Sequence, residues 1–521
     1  MPCLGAESRL LLRSALVAAS VTACTFVTQK PALLAPEQAP APGADAPSLK
    51  VHMRSGALYL LSTWQVIDSS RLLLGTGARY DALRARQDSG PYALAVDSIA
   101  LVETNVEQYR SPFGFGMLGA LTVVYGIASV ACLADPKSCF GSCPTFYVDN
   151  GSGELLQAEG FSSSIARVLE ASDVDPLYGA RRVGRRFTVT MRNEALETHV
   201  VQSVRLEAMQ RPAGGRVFAS REGLHYPATL VTAPTACRAA EGDCLTAVAG
   251  LDTLERRSLA DSTDLAARET VELEFPVGPG PQGLVLGARH TLVSTFVFYQ
   301  TLAHMGRQAG EWLAALERGG PEGASQALGM MHALGGIEIA IAEGDGTWRV
   351  VGTYDEAGPI ATDVQVFPLD AVATAGTIHI RLRMAQGSWR LGYTALARLG
   401  DPATPLTLEP LAVERHGIPD TAALAALVDT GRYLATFPGD AYAIVFELPE
   451  DYSAYDLFLE SRGYYYEWMR AEWLQEENAA MVALAMIDPA AALRRLAPSF
   501  KRSEPTIEAL FWQSRFGRVS P

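Results

Sequence analysis

Positive charge is scarce in this sequence. Its 521 residues include 43 Lys and Arg against 57 Asp and Glu, which gives a formal net charge of −14. A nucleic-acid-binding protein needs a basic surface to neutralise phosphates, so the composition excludes a dedicated binder of this kind. The content of 48% apolar and 19% charged residues is typical of folded protein, and the length predicts several domains.

Clustered histidines and catalytic motifs are also missing. The eight histidines occupy positions 52, 199, 225, 290, 304, 332, 379 and 416. No two of them lie within one helical turn, as the H-E-x-x-H zinc motif requires. No Gly-x-Ser-x-Gly nucleophile motif occurs either. We therefore predict no metal site and no cofactor, and the sequence names no catalytic residue.

The seven cysteines include two closely spaced pairs. Cys139 and Cys143 flank a short segment with a glycine, and Cys237 and Cys244 bracket a polar segment. Two cysteines at the first spacing are compatible with metal ligands, but no second Cys or His pair lies nearby. We predict these four residues as disulfide candidates for an oxidising compartment, with free buried thiols as the alternative.

The N-terminus has the pattern of a secretory signal. Arg9 and Arg13 accompany a short apolar run, and small residues precede Cys24. Val21-Thr22-Ala23-Cys24 resembles the lipobox of bacterial lipoprotein precursors. That resemblance implies cleavage after residue 23 and acylation of Cys24, and two or more acyl chains hold a protein durably at a membrane. The alternative is an ordinary cleaved signal with Cys24 as a passenger.

The spacing of apolar residues along the chain predicts a mainly β, multidomain protein with a helical C-terminal segment. Alternating apolar residues and turn signals favour strands, and spacing by three and four favours helices. Strands are expected across 271–300, and helices are expected from 301 to 318 and from about 455 to 516. The predicted segments are a signal peptide (1–23), a Pro/Ala-rich tether (24–48), a small β barrel or sheet (49–110), an apolar Gly-rich segment (111–134), a β-sandwich with a helical end (135–334), a second β unit (335–400), and a linker, strand and C-terminal helices (401–521).

The apolar segment is open to three interpretations. Residues 113–134 carry no charge and are numerous enough to cross a bilayer. Their glycines are tolerated in membrane helices and are unfavourable in soluble ones. The alternatives are a buried glycine-rich helix or hairpin, and a segment lying against the membrane that holds Cys24.

A second resemblance follows the apolar segment. Ser142, Cys143 and Pro144 precede an aromatic strand, and an acidic hairpin comes next. This part of the body loosely resembles uncharacterised bacterial envelope proteins with a Ser-Cys-Pro-aromatic strand. The resemblance implies no activity.

Two groups of residues are candidates for binding. The basic group consists of Arg181, Arg182, Arg185 and Arg186, which would suit lipid headgroups or form a polar loop. The aromatic group consists of Tyr465, Trp468, Trp473, Trp348 and Trp389. Exposed rings of this kind bind sugars or a protein partner, and buried ones pack a core.

The sequence therefore predicts a lipid-anchored protein that faces the periplasm, at the inner or outer membrane. Its expected role is a binding or structural component without an identifiable catalytic site, and its expected partners are the membrane and an envelope protein or glycan. The alternative is an envelope hydrolase acting on glycans or peptides, with a site assembled only in the fold. A polar cleft with a His–carboxylate pair would favour the hydrolase, and exposed aromatic rings would favour binding.

Overall fold

The computed structural model describes residues 26–34, 36, 39–43, 49–53, 57–80, 86–110, 143–165, 167–195, 197–306, 329–344, 346–355, 358–369, 376–437, 439–467 and 476–515. The protein is mainly β, as predicted. It divides into two compact units. Unit 1 comprises Met1–Ala128 and Arg470–Glu472, and unit 2 comprises Ser129–Met469 and Trp473–Pro521.

Unit 1 contains a six-stranded antiparallel sheet in the order β1-β6-β2-β3-β4-β5. Its strands are β1 (Phe26–Leu34), β2 (Leu49–Met53), β3 (Leu58–Ile67), β4 (Leu72–Tyr80), β5 (Arg86–Ala95) and β6 (Ile99–Arg110). Val51, Leu61 and Leu73 are fully buried on one face. The prediction of a tether from residue 24 is wrong for residues 26–34, because these pair with β6 from Phe26↔Arg110 to Leu34↔Val102.

The first sandwich of unit 2 combines strands from distant parts of the chain. Its larger sheet has the order β26-β25-β28-β10-β7-β8, and its smaller sheet has the order β24-β11-β29-β9 with β27 beside β11. The strands are β7 (Thr145–Asp149), β8 (Glu154–Glu159), β9 (Ala171–Pro176), β10 (Arg186–Arg192), β11 (Glu197–Gln210), β24 (Leu406–Leu408), β25 (Ala412–Arg415), β26 (Ile418–Pro419), β27 (Leu434–Thr436), β28 (Ala441–Glu447) and β29 (Tyr455–Glu467). Phe146, Val189 and Ile444 from one sheet meet Val204 and Leu459 from the other in one core.

The second sandwich is inserted between β11 and β24. One sheet has the order β15-β14-β17-β22-β19-β20, and the other has the order β13-β12-β21-β18-β23-β16. Because β13 also pairs with β23, five strands of the latter close into a small barrel. The strands are β12 (Arg216–Ala219), β13 (His225–Thr232), β14 (Ala236–Ala239), β15 (Gly242–Asp243), β16 (Arg256–Arg257), β17 (Arg268–Val277), β18 (Gln282–His290), β19 (Ile337–Ala342), β20 (Trp348–Tyr354), β21 (Asp363–Leu369), β22 (Gly376–Ala385) and β23 (Trp389–Leu399).

Six α-helices accompany the sandwiches in the described part of unit 2. They are α1 (Leu245–Val248), α2 (Leu292–Met305), α3 (Gly329–Leu334), α4 (Thr421–Val428), α5 (Ala479–Ile487) and α6 (Pro489–Arg515). Short 3-10 turns cover Asp68–Ser70, Val96–Ser98, Arg167–Leu169 and Tyr452–Ala454. Helices α2, α3, α5 and α6 share a core that includes Leu302, Leu334 and Phe500. Among the described residues, no helix has the length and apolar character to cross a membrane.

The structure corrects two assignments. The strand predicted up to residue 300 is wrong from Leu292, where α2 begins. The Thr291 hydroxyl accepts a hydrogen bond from Val293 N–H, and Gly306 at φ 55° ends the helix, so capping and burial override the β propensity of Val and Thr here. The helix predicted from about residue 455 is also wrong up to Glu467, because β29 pairs along β11.

The segments 135–334 and 335–400, predicted as separate units, contribute strands to the same sheets. Strands β17 and β18 pair with β22, β21 and β23 from the later segment. The 111–134 segment, with its three interpretations, lies outside the described residues.

The cysteines differ in state. Cys237 and Cys244 form the predicted disulfide. Cys143 instead carries a free thiol and is buried, so its predicted disulfide is absent and the alternative applies. Burial, followed by Glu159 and Glu197, raises the pKa of this thiol well above its ordinary value. Cys139 and Cys24 lie outside the described residues.

Candidate functional site

A cavity of about 520 Å³ lies within unit 2. Such a volume is within the range of about 300–1,000 Å³ typical of small-ligand sites. Four lining residues are exposed and indicate where the cavity opens to solvent: Ser163, Arg221, His332 and Asp355. Arg221 and Asp355 form an ion pair there. The apolar part of the wall is formed by Ile165, Phe298, Met331, Leu334 and Pro359.

Three polar lining residues come from turns or strand ends that are distant in the sequence. Glu159 ends β8, His290 ends β18, and Ser388 lies in the turn between β22 and β23; all three line the cavity. The 358–361 segment joins two of them. Its Ile360 N–H donates to Glu159 Oε2 at 2.9 Å, and the His290 N–H donates to the Gly358 carbonyl at 3.1 Å.

His290 is held as a neutral ring. Its imidazole lies on Trp389 with 3.8 Å between ring centroids, and its Nδ1 lies 3.3 Å from the Ser388 carbonyl oxygen. Burial lowers the pKa of His290 to about 4, which outweighs the opposing effect of the hydrogen bond to Ser388. The ring is therefore uncharged at neutral pH.

Acidic groups lie behind the cavity wall. Tyr299 and Tyr465 line the cavity, and the Tyr299 hydroxyl donates to Glu467 Oε1. Glu467 lies opposite Glu197 in the pairing of β11 with β29. Glu197 Oε2 is 3.1 Å from His199 Nε2, and both side chains are 0% exposed. Because both side chains are fully buried, no substrate can reach this His–carboxylate pair in the folded protein. It is therefore not the solvent-accessible His–carboxylate pair that a hydrolase would need.

Acid is expected to destabilise the protein through His290. An unfolded histidine has a pKa near 6.5, whereas folded His290 titrates near 4. Between these values the unfolded state binds the extra proton. Stability is therefore fully present above pH 6.5 and falls as the pH drops, by at most about 1.4 kcal/mol per pH unit for this residue. His304, whose pKa burial also lowers to about 4, adds to the effect.

Urea denaturation of wild type and His290→Gln between pH 7 and 4.5 measures this contribution. The variant should show the smaller loss of stability over the range. The control is His379→Gln, which removes an exposed histidine; its slope should differ less from wild type than that of His290→Gln. Equal slopes for wild type and His290→Gln would contradict the assignment.

The arginines of the basic group form hydrogen bonds and an ion pair with other segments of unit 2. Arg182 Nη1 donates to the carbonyls of Tyr452 and Tyr455. Arg185 donates to the Leu448 carbonyl at 3.0 Å, and Arg186 lies 3.2 Å from Glu414. The backbone N–H of Arg181 donates to Asp149. These contacts fit the polar-loop interpretation, and binding of headgroups stays a prediction.

The structure separates the aromatic candidates. Trp389 is 0% exposed in the core of the second sandwich, so it is unavailable to a partner. Its position in β23 points the ring inward because strand side chains alternate. Tyr465 is 7% exposed and lines the cavity. Trp348 is partly exposed, with the Arg381 guanidinium 4.6 Å from its ring centre. Trp468 and Trp473 lie outside the described residues.

Sequence reasoning missed the polar residues of the cavity. Glu159, His290 and Ser388 have no common spacing, and only the folded sheets bring them together. The one available signal was the Gln-Gly-Ser turn before Trp389, which predicts a hairpin but no site. The turn is present, but the hairpin is wrong because the flanking strands β22 and β23 lie in different sheets. In the described ranges, no group of three or more His, Cys, Asp or Glu is placed to hold a metal ion.

Comparison with known proteins leaves the family open. No family model matches the sequence, and no curated protein matches it. Among solved structures, a β-porphyranase of glycoside hydrolase family 86 from the human gut bacterium Bacteroides plebeius is similar over 48% of this chain and 42% of its own length. The identity is 8% and the TM-score is 0.16, so this similarity carries no argument about fold or activity.

Proposed function

We propose that this protein is a lipid-anchored component of the cell envelope that binds a small ligand in the cavity of unit 2. The cavity is the observation that carries the binding role. Its wall combines a largely apolar surface with polar groups that include Glu159, His290 and Ser388, which is the usual composition of a small-molecule site. The lipobox resemblance at Cys24 supports the envelope location.

Hydrolysis receives less support. The His199–Glu197 pair is fully buried, and the free Cys143 has a pKa raised well above its ordinary value. A thiol in that state is a poor nucleophile at neutral pH. Binding is therefore the function that the geometry favours.

A probe that fluoresces in apolar surroundings tests the binding role. Nile red should bind wild-type protein, and Thr295→Trp should weaken binding roughly ten-fold or more, or about 1.4 kcal/mol, because Thr295 of α2 lines the cavity. The matched control is Thr301→Trp on the same helix, since Thr301 is also partly buried but does not line the cavity. Absence of binding to wild type, or equal binding by both variants, would refute the proposal.

An acyl-chain labelling experiment tests the anchor. Wild type expressed in bacteria should incorporate labelled fatty acid and fractionate with membranes. Cys24→Ser should lose the label almost completely, because the resemblance assigns acylation to that sulfur. Cys3→Ser, within the predicted leader, is the control and should be labelled like wild type. Equal labelling of the Cys24→Ser protein would eliminate the anchor but leave the cavity unaffected.

A further inference from the structure

The cavity presents hydrogen-bond acceptors at its polar end. A carbonyl oxygen can only accept a hydrogen bond, so the contact of His290 Nδ1 with the Ser388 carbonyl, at 3.3 Å, places the ring hydrogen on Nδ1. His290 Nε2 is then left with a lone pair, and His290 is a lining residue. The Glu159 carboxylate adds further acceptor oxygens to the same wall.

Ser388 provides an independent indication of a ligand. The residue lines the cavity and is only 1% exposed, and its Oγ has no hydrogen-bond partner within the described part of the chain. A buried hydroxyl without a partner is unfavourable. A ligand group that donates hydrogen bonds would pair with both Ser388 Oγ and His290 Nε2, since each can accept.

The hydrogen-bond acceptors of the lining disfavour a carboxylate head. Arg221 carries positive charge, but its guanidinium lies 2.5 Å from Asp355 Oδ1 at the exposed side, so the pair is neutral overall. The remaining acidic side chain of the wall is Glu159, which is 3% exposed. His290 Nε2 and the Glu159 oxygens accept hydrogen bonds, and a carboxylate head has no hydrogen to donate to them.

We propose that this cavity takes an amphipathic ligand whose apolar body lies against Phe298, Met331 and Leu334 and whose head donates hydrogen bonds to Glu159, His290 and Ser388. The head is a hydroxyl or an ammonium group, and a carboxylate head is rejected. This inference rests on the proposed binding function and specifies the ligand class for the same site.

Displacement of Nile red by three eight-carbon probes tests the proposal. At pH 7, 1-octanol and octylamine should displace the dye at concentrations at least about ten-fold lower than octanoate, since a carboxylate head leaves the buried acceptors of the wall without a donor. Failure of Nile red to bind would refute the binding function itself. Binding followed by displacement at equal concentrations, or best by octanoate, would overturn only the assignment of the head group.

Serine variants assign the contact. Ser388→Ala should weaken 1-octanol roughly three- to ten-fold, the value of one neutral hydrogen bond. The control is Ser461→Ala, because Ser461 is 0% exposed and its Oγ also lacks a partner in the described chain, but it does not line the cavity. Nile red affinity is measured for each variant to correct the displacement constants. An unchanged octanol constant in Ser388→Ala would contradict the proposed contact.

Glu159→Gln separates the two head groups. The substitution removes the charge and keeps an oxygen that can accept from Ile360 N–H. Octylamine should lose roughly ten-fold or more in affinity, because a hydrogen bond to a charged group is stronger than a neutral one, and octanol should change less than three-fold. A larger loss for octanol than for octylamine would overturn the assigned role of Glu159.

Discussion

Replacing Trp389 by alanine is expected to lower the free energy of unfolding by about 3 to 5 kcal/mol. The indole is 0% exposed in the core of the second sandwich. It packs edge-to-face on Tyr354 at 5.5 Å and lies on His290 at 3.8 Å, measured between ring centroids. Its removal leaves a cavity between the two sheets and frees the His290 ring, so Nile red binding should weaken as well.

Trp348→Ala is the matched control. Both tryptophans closely follow a turn, but Trp348 is partly exposed and contacts Arg381 through its ring face. Its loss should cost about 1 kcal/mol or less. Urea denaturation followed by far-ultraviolet circular dichroism measures both variants. Equal destabilisation by the two substitutions would contradict the assignment of Trp389 to the core.

Gly358→Ala is expected to lower the free energy of unfolding by about 3 to 5 kcal/mol, from overpacking and from weakened hydrogen bonds to a carboxylate. A Cβ at this position would lie 2.0 Å from Glu159 Oε2. That oxygen accepts the N–H groups of Ile360 and Ala361 at 2.9 and 3.4 Å, so it cannot move without losing them. The substitution should also weaken octylamine binding, because it displaces Glu159.

A double-mutant cycle identifies the cause. In the Glu159→Ala background the obstructing carboxylate is gone, so adding Gly358→Ala should cost less than about 1 kcal/mol. Gly344→Ala serves as the control, because no described atom lies within 4 Å of the position that a Cβ would take there; it should change stability by no more than about 0.5 kcal/mol. A full-size effect of Gly358→Ala in the Glu159→Ala background would show that the carboxylate is not the cause.

Local patterns in the sequence predict local structure well. Alternating apolar residues around a turn predict two hairpins, and the β19–β20 hairpin is present. The second predicted hairpin is wrong, because β22 and β23 follow one another in the chain but lie in different sheets. The closely spaced Cys237 and Cys244 predict a disulfide, which is confirmed. The predictions that fail depend on distant residues. Tyr464 and Tyr465 fall within a predicted helix, but their strand is completed by Val200 and His199 of β11, and nothing near them in the sequence indicates that pairing.

The site is beyond sequence reasoning for the same reason. Glu159, His290 and Ser388 belong to two sandwiches, one of which is inserted into the other, and each residue alone fits an ordinary strand end or turn. Glu467 illustrates the difficulty. In the predicted helix, no second carboxylate lies at a spacing that would bring it next to Glu467. In β29, by contrast, Glu467 lies directly opposite Glu197. These two residues are neighbours only because of the register in which β11 and β29 pair.

The location of a bound ligand tests the central claim most directly. Crystals of the protein soaked with 8-bromo-1-octanol would reveal the bromine by its anomalous scattering. We predict the bromine within the cavity beside Phe298 and Met331, with the ligand hydroxyl in hydrogen-bonding range of Ser388 Oγ and His290 Nε2. An ordered ligand at another place, with this cavity empty under conditions that displace Nile red in solution, would contradict the account.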